Sequence, residues 1–118
     1  MRDFTKYEVW NLAIDLSVEI YRITESLPNQ EKFGLISQMN RAVVSIASNI
    51  AEGTSRSSEK EFIRFLEISM GSGFELKSQL VIAHRLEFID SLTFDKVMES
   101  LDLLLKQLNG LRLSIISS

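Results

Sequence analysis

The chain has no cysteine among its 118 residues, which removes disulfides, thiolate metal sites and cysteine nucleophiles from consideration and fits a reducing compartment. A single histidine, His84, is nearly as restrictive. Carboxylate-bridged metal pairs in helical bundles use two Glu-x-x-His units, whereas the residue three before His84 is Val81. A serine hydrolase needs a base and an orienting acid, and His84 is the one conventional base on offer. No Gly-x-Ser-x-Gly elbow or phosphate-binding glycine loop occurs. Gly71-Ser72-Gly73 lies inside a helical pattern whose amides are already bonded. His84 therefore reads as a partly exposed helix histidine. No enzymatic activity, catalytic residue, metal, cofactor or small-molecule substrate is expected.

Long apolar runs are missing too, so no membrane span is expected. The stretch from Met1 to Trp10 mixes Arg2, Asp3, Lys6 and Glu8 among its apolar residues, which is unlike a secretory signal; the expected location is the cytoplasm. There is no basic excess. Thirteen Lys and Arg stand against 16 Asp and Glu, giving a net charge of −3 and an isoelectric point of about 5.2. Nucleic-acid coating is disfavoured by that balance, although a local basic face is compatible with it.

What is present is helical periodicity. One proline and five glycines, with short polar stretches between long apolar-periodic segments, predict an all-α domain over residues 1–118. The first helix is expected from Lys6 to Ser26, with Val9, Ala13, Leu16, Ile20, Ile23 and Leu27 on one face. Pro28 ends it, Asn29 is the candidate cap for the second helix, and Glu31 places a negative charge near that helix's positive end. That helix is expected over 32–53 and is apolar around most of its circumference: Ala42, Val43, Val44, Ile46, Ala47, Ile50 and Ala51. Such a helix implies a partner surface beyond its own chain. Gly53 is the expected left-handed terminator. Ser58 and Glu61 fit a capping box opening a third helix over 58–86. Its mid-helix Gly71, Ser72 and Gly73 suggest close approach by another element, because each glycine costs roughly 1 kcal/mol against alanine. Thr93, with Asp95 behind it, opens a fourth helix over 93–116, where Val97, Leu101, Leu104, Leu108 and Leu111 repeat in three-four alternation. Short connections favour an antiparallel up-down-up-down four-helix bundle.

Two constellations carry chemistry. Gln38, Arg41, Ser45, Ser48, Asn49 and Glu52 draw a polar line along the second helix, read first as an internal network or subunit contact and second as a ligand-contacting groove. Antiparallel packing about the Thr54–Ser58 turn would bring Arg41 to Glu67 or Glu75, predicting a charge pair. Arg56, Lys60 and Arg64 stand four apart, a candidate nucleic-acid-contacting stripe. Glu59, Glu61 and Glu67 interleave with it, so a solvated, salt-bridged face is the simpler reading.

Glu31-Lys32-Phe33-Gly34-Leu35, Gln38, Arg41-Ala42, Ser45-Ile46 and Asn49-Ile50-Ala51-Glu52-Gly53, then Glu61-Phe62, Phe65-Leu66, Gly71-Ser72 and Glu75-Leu76, cover nearly the whole chain. Together they resemble the bacterial four-helix-bundle proteins named for 23S ribosomal RNA intervening sequences. The resemblance implies a small bundle that assembles as a ring-like homo-oligomer, typically a pentamer, with no established catalytic role. The chain is also similar to the accessory variability protein of diversity-generating retroelements, a basic pentameric bundle associated with nucleic acid. It departs from that pattern in being acidic, and in carrying Asn40 where members often have a second basic residue beside Arg41.

Overall fold

The computed structural model describes residues 2–118. Among them, α1 (Glu8–Glu25), α2 (Ser37–Thr54), α3 (Glu59–Arg85) and α4 (Ser91–Ile116) form a bundle of 45 × 23 × 20 Å. Cross-links fix the topology. Thr24 meets Asn40 and Ser17 meets Val43, so α1 and α2 run antiparallel. Ser69 meets Ile46 and Ser72 meets Ser45, which sets α3 against α2 in the same sense. Lys77 meets Asp102 and Glu67 meets Arg112, which does so for α4 against α3. The up-down-up-down order follows.

The apolar lines become the core. Leu16, Ile20, Met39, Ile46, Ile50 and Phe62 are among its fully buried side chains, with Leu66, Leu76, Leu80, Leu101, Leu104 and Leu108 beside them. Burying a leucine or phenylalanine side chain contributes roughly 1.5–3 kcal/mol each. This layer supplies the driving force for folding.

The second helix departs from expectation in three ways. Its regular part starts at Ser37, five residues late, because Asn29–Glu31 forms a 3-10 turn and Lys32–Ile36 a π turn in which Gly34 leaves helical dihedrals (φ −109°, ψ −113°). Glu31 supplies the side-chain acceptor, for the Leu35 N–H, and not Asn29. Gly53 is no left-handed terminator, since no glycine has positive φ. It stays helical, and a side chain there would collide: a Cβ would stand 2.9 Å from the Phe65 Cβ and 3.0 Å from the Phe62 Cδ1. The third departure concerns coverage. Val43, Ile46 and Ile50 are fully buried by their own chain and Ala42 and Ala47 nearly so, leaving Val44 as the exposed large apolar residue of α2. Helix α2 lies between α1 and α3 and hides a wide arc against both, so its apolar circumference does not require a partner.

Helix ends elsewhere follow local chemistry. The Ser58 hydroxyl accepts the Glu61 N–H at 3.1 Å and opens α3, the expected cap. The left-handed position falls after α3, at Glu87 (φ 63°). There the Phe88 N–H donates to the Ala83 carbonyl and the Glu87 N–H to that of His84, both at 2.9 Å, closing the last turn. Asp90, not Thr93, caps α4: its carboxylate accepts the Thr93 N–H at 2.7 Å, so the helix starts two residues earlier than expected. The backbone and then the hydroxyl of Thr93 hold the Asp90 carboxyl below its ordinary value of 3.8. A lowered folded pKa means the cap stabilises α4 above about pH 3.8 and is lost as pH falls through the folded value.

Both backbone readings can be checked by denaturant unfolding. Glu87→Gly should stabilise the chain by about 1 kcal/mol, because a left-handed non-glycine residue is costly. Gly53→Ala should destabilise it by roughly 1–3 kcal/mol through overpacking against Phe62 and Phe65.

Candidate functional site

Part of the predicted polar line becomes a seam between α2 and α3. The Ser45 and Ser72 hydroxyls hydrogen-bond at 2.9 Å, and the Asn49 amide donates to both the carbonyl (2.8 Å) and the hydroxyl (3.0 Å) of Ser45. One turn deeper, the buried Ser69 hydroxyl donates to the Ile46 carbonyl at 2.9 Å. Small hydroxyl side chains here satisfy polar groups where larger residues would hold the helices apart.

The remaining members of the line do not join this seam. Glu52 pairs with Arg56, one helical turn on. Gln38, Ser48, Arg41 and Glu75 are exposed and make no side-chain hydrogen bond or ion pair among the described residues. The expected pair from Arg41 to Glu67 or Glu75 is therefore absent. Glu67 instead receives Arg112 of α4 at 2.8 Å, because it projects from the opposite flank of α3. Sequence reasoning missed Gln79, which stands seven residues after Ser72 on the same flank. It is 6% exposed, and its amide oxygen has no partner among the described residues. A polar residue between Leu76 and Leu80 in a core line was the available signal.

The three central small residues of α3 separate by role. A Cβ on Gly73 would fall 2.6 Å from the Leu105 Cδ2, so α4 occupies that space. Ser72 faces α2. Gly71 meets nothing within 4 Å and is exposed, so no neighbour inside the chain requires a glycine there.

The basic residues gather at the end of the bundle that carries the α2–α3 turn. Because α3 starts at Glu59, Arg56 lies in the turn and only Lys60 and Arg64 share a helix face. Arg56 and Arg64 converge nevertheless, their guanidinium carbons 4.9 and 5.7 Å from the centre of the Phe65 ring. Arg2 lies over Phe62 at 4.7 Å and donates to the Arg56 carbonyl at 2.6 Å. A cavity of about 580 Å³ opens there between Arg2, Thr54, Ser55, Arg56 and Ser57. Arg56 is paired with Glu52 and Arg64 with Glu61, while Lys60 makes no ion pair among the described residues. The face is thus partly neutralised, although of the interleaved glutamates only Glu61 pairs within it, Glu67 being taken by Arg112 and Arg56 by Glu52 of α2.

His84 stacks on Phe94 at 4.1 Å, and its Nε2 lies 3.2 Å from the Ser91 hydroxyl. It fastens the α3–α4 corner, with no carboxylate in hydrogen-bond range among the described residues. Among those residues no three His, Asp or Glu side chains cluster as metal ligands, and no helix is long and apolar enough to cross a membrane.

The α2–α3 seam of this four-helix bundle is carried by Ser-Ile-x-x-Asn-Ile-Ala-Glu-Gly. The model of the 23S rRNA-intervening sequence protein family matches residues 5–110. The chain belongs to that family. Among solved structures, an S23 ribosomal protein family member of unknown function from Bacteroides thetaiotaomicron aligns with a TM-score of 0.82 at 25% identity. The alignment covers 88% of this chain and 97% of that one. Among curated proteins none matches. Neither the 23S rRNA-intervening sequence family's description nor that neighbour's names a reaction.

Gly71 gives this site its sharpest check. Within a single protomer, Gly71→Ala should raise stability in urea unfolding by about 1 kcal/mol, the helix-propensity difference, with no steric loss.

Proposed function

We propose that this member of the 23S rRNA-intervening sequence family is a non-enzymatic module that assembles with copies of itself through the flank shared by α1 and α2. The observation that carries the reading is a set of exposed apolar side chains that runs from that flank onto the outer face of α1. Ile14, Val18 and Tyr21 of α1 are 37%, 46% and 47% exposed, and Val44 of α2 is 42% exposed. Helical spacing puts Ile14 and Tyr21 on the side of Ser17 and Thr24, the residues that reach α2. Val44 stands one turn beyond Asn40, which receives Thr24, at the level of Val18. Trp10 extends the line and packs edge-on against Phe4 with ring centroids 5.0 Å apart. Aromatic and branched apolar residues in one patch are characteristic of subunit interfaces.

Light scattering at micromolar concentration should return a mass several times the 13.5 kDa protomer, five times for a pentamer like those the family resemblance implies. Val18→Glu combined with Val44→Glu should return the protomer mass while helical circular dichroism is kept. A wild-type protein that runs at 13.5 kDa would remove the reading.

A second reading rests on Arg56 and Arg64 over Phe65, with Arg2 and Lys60 nearby. Repeated around an assembly, these weak cationic ends would act together on the phosphates of structured RNA. Binding to a ribosomal RNA fragment should then weaken steeply with added salt, and Arg56→Gln with Arg64→Gln should flatten that dependence. Absence of binding at low salt disposes of this second reading and leaves the first untouched.

A further inference from the structure

The first and last helices of the bundle share no connecting turn, and a cleft remains where they meet near the α4 N-terminus. Two adjoining cavities of about 340 and 540 Å³ lie there and share Glu19, Arg22 and Lys96. Such volumes suit a small organic molecule. The base of the smaller one is apolar: Ile23 and Ile89 are buried and Phe88 half-buried. Around that base stand charges of both signs. Arg22 and Lys96 form no ion pair among the described residues, and neither do Glu19 and Asp15. Asp90 is already engaged by the Thr93 N–H, so the positive end of α4 is occupied by the chain's own carboxylate and offers no anion site.

The geometry points to an α-amino acid with an apolar side chain as the ligand of this cleft. Its carboxylate would lie between Arg22 of α1 and Lys96 of α4, which line both cavities. Its ammonium would lie toward Glu19, on the same helix as Arg22. Its side chain would rest on Ile23, Phe88 and Ile89. A simple anion leaves Glu19 unanswered and a simple cation leaves Arg22 and Lys96 unanswered, whereas a zwitterion answers all three. Val18 of the proposed assembly patch lines the outer edge of the larger cavity, whereas the smaller cavity, with its apolar base, contains no residue of that patch, so the ligand would sit beside the interface and not within it.

The test is an amide NMR titration of the whole protein with L-leucine, with octanoate and leucinamide as comparison arms. Leucine should give saturable shifts confined to residues 19–26 and 88–96, with half-saturation on the order of 1 mM, as expected for a ligand of so few atoms. Octanoate, which lacks the ammonium, and leucinamide, which lacks the carboxylate, should each bind at least tenfold more weakly. Arg22→Gln and Lys96→Gln, both exposed and safe for the fold, should each weaken leucine tenfold, and Glu19→Gln should erase its advantage over octanoate. Arg85→Gln, outside the cleft, should change nothing. Shifts that fail to saturate by about 20 mM, equal binding of octanoate, or unaltered leucine binding in Arg22→Gln would each overturn the assignment.

Discussion

The close approach of α2 to α3 is the constraint on which the rest of the molecule depends. Gly53 admits Phe62 and Phe65 against its backbone, and Ser45, Ser69 and Ser72 put hydroxyls where bulkier side chains would separate the helices. Each hydroxyl that enters this seam is hydrogen-bonded, so burial of polar groups there costs little. From that register several other features follow. Phe65 is placed beside the turn, where Arg56 and Arg64 reach its ring, and Arg41 is turned outward while Glu67 is turned to α4.

Around this rigid pair the bundle's four flanks differ in chemistry. The α1/α2 flank carries exposed isoleucine, valine and tyrosine, whereas the outer surface of α3 exposes Ile68, Phe74 and Ile82 around the bare backbone of Gly71. The α3/α4 flank is tied by Lys77 to Asp102 and by Arg112 to Glu67, both at 2.8–2.9 Å. These pairs are largely exposed, so they fix orientation more than they stabilise. The α1/α4 flank is the open one. A bundle with such unlike flanks has faces suited to different partners, which a uniformly charged surface would not.

Much of the fold was legible because the relevant signal is a period. Val9, Ala13, Leu16 and Ile20, or Val97, Leu101, Leu104 and Leu108, declare a buried face without reference to any neighbour. What periodicity does not encode is which neighbour a flank meets. The wide apolar arc of α2 looked like surplus surface, but a helix seated between two others hides more than one seam, and α1 and α3 cover it. The Arg41 expectation failed on register as well as rotation: the Ser69–Ile46 and Ser72–Ser45 contacts set Arg41 level with Glu75 and about two helical turns from Glu67, which projects from the other flank to meet Arg112. Boundaries were misread where side chains override pattern: Glu31 and Gly34 delay α2, and Asp90 advances α4. Ser58 was readable because its acceptor and the Glu61 donor are three residues apart in sequence.

The order of the helices also bears on how the chain reaches this structure. Three of its four interfaces join consecutive helices, so most contacts are local, and bundles of that kind fold in roughly microseconds to milliseconds. The turn between α2 and α3 is the shortest connection, spanning Ser55 to Ser58, and closing it sacrifices the least chain entropy. A nucleus formed there leaves α1 and α4 to meet last, across the whole length of the polypeptide. The groove between them is then the seam that parts first when the native state breathes, and amide exchange along it would be the fastest in the core.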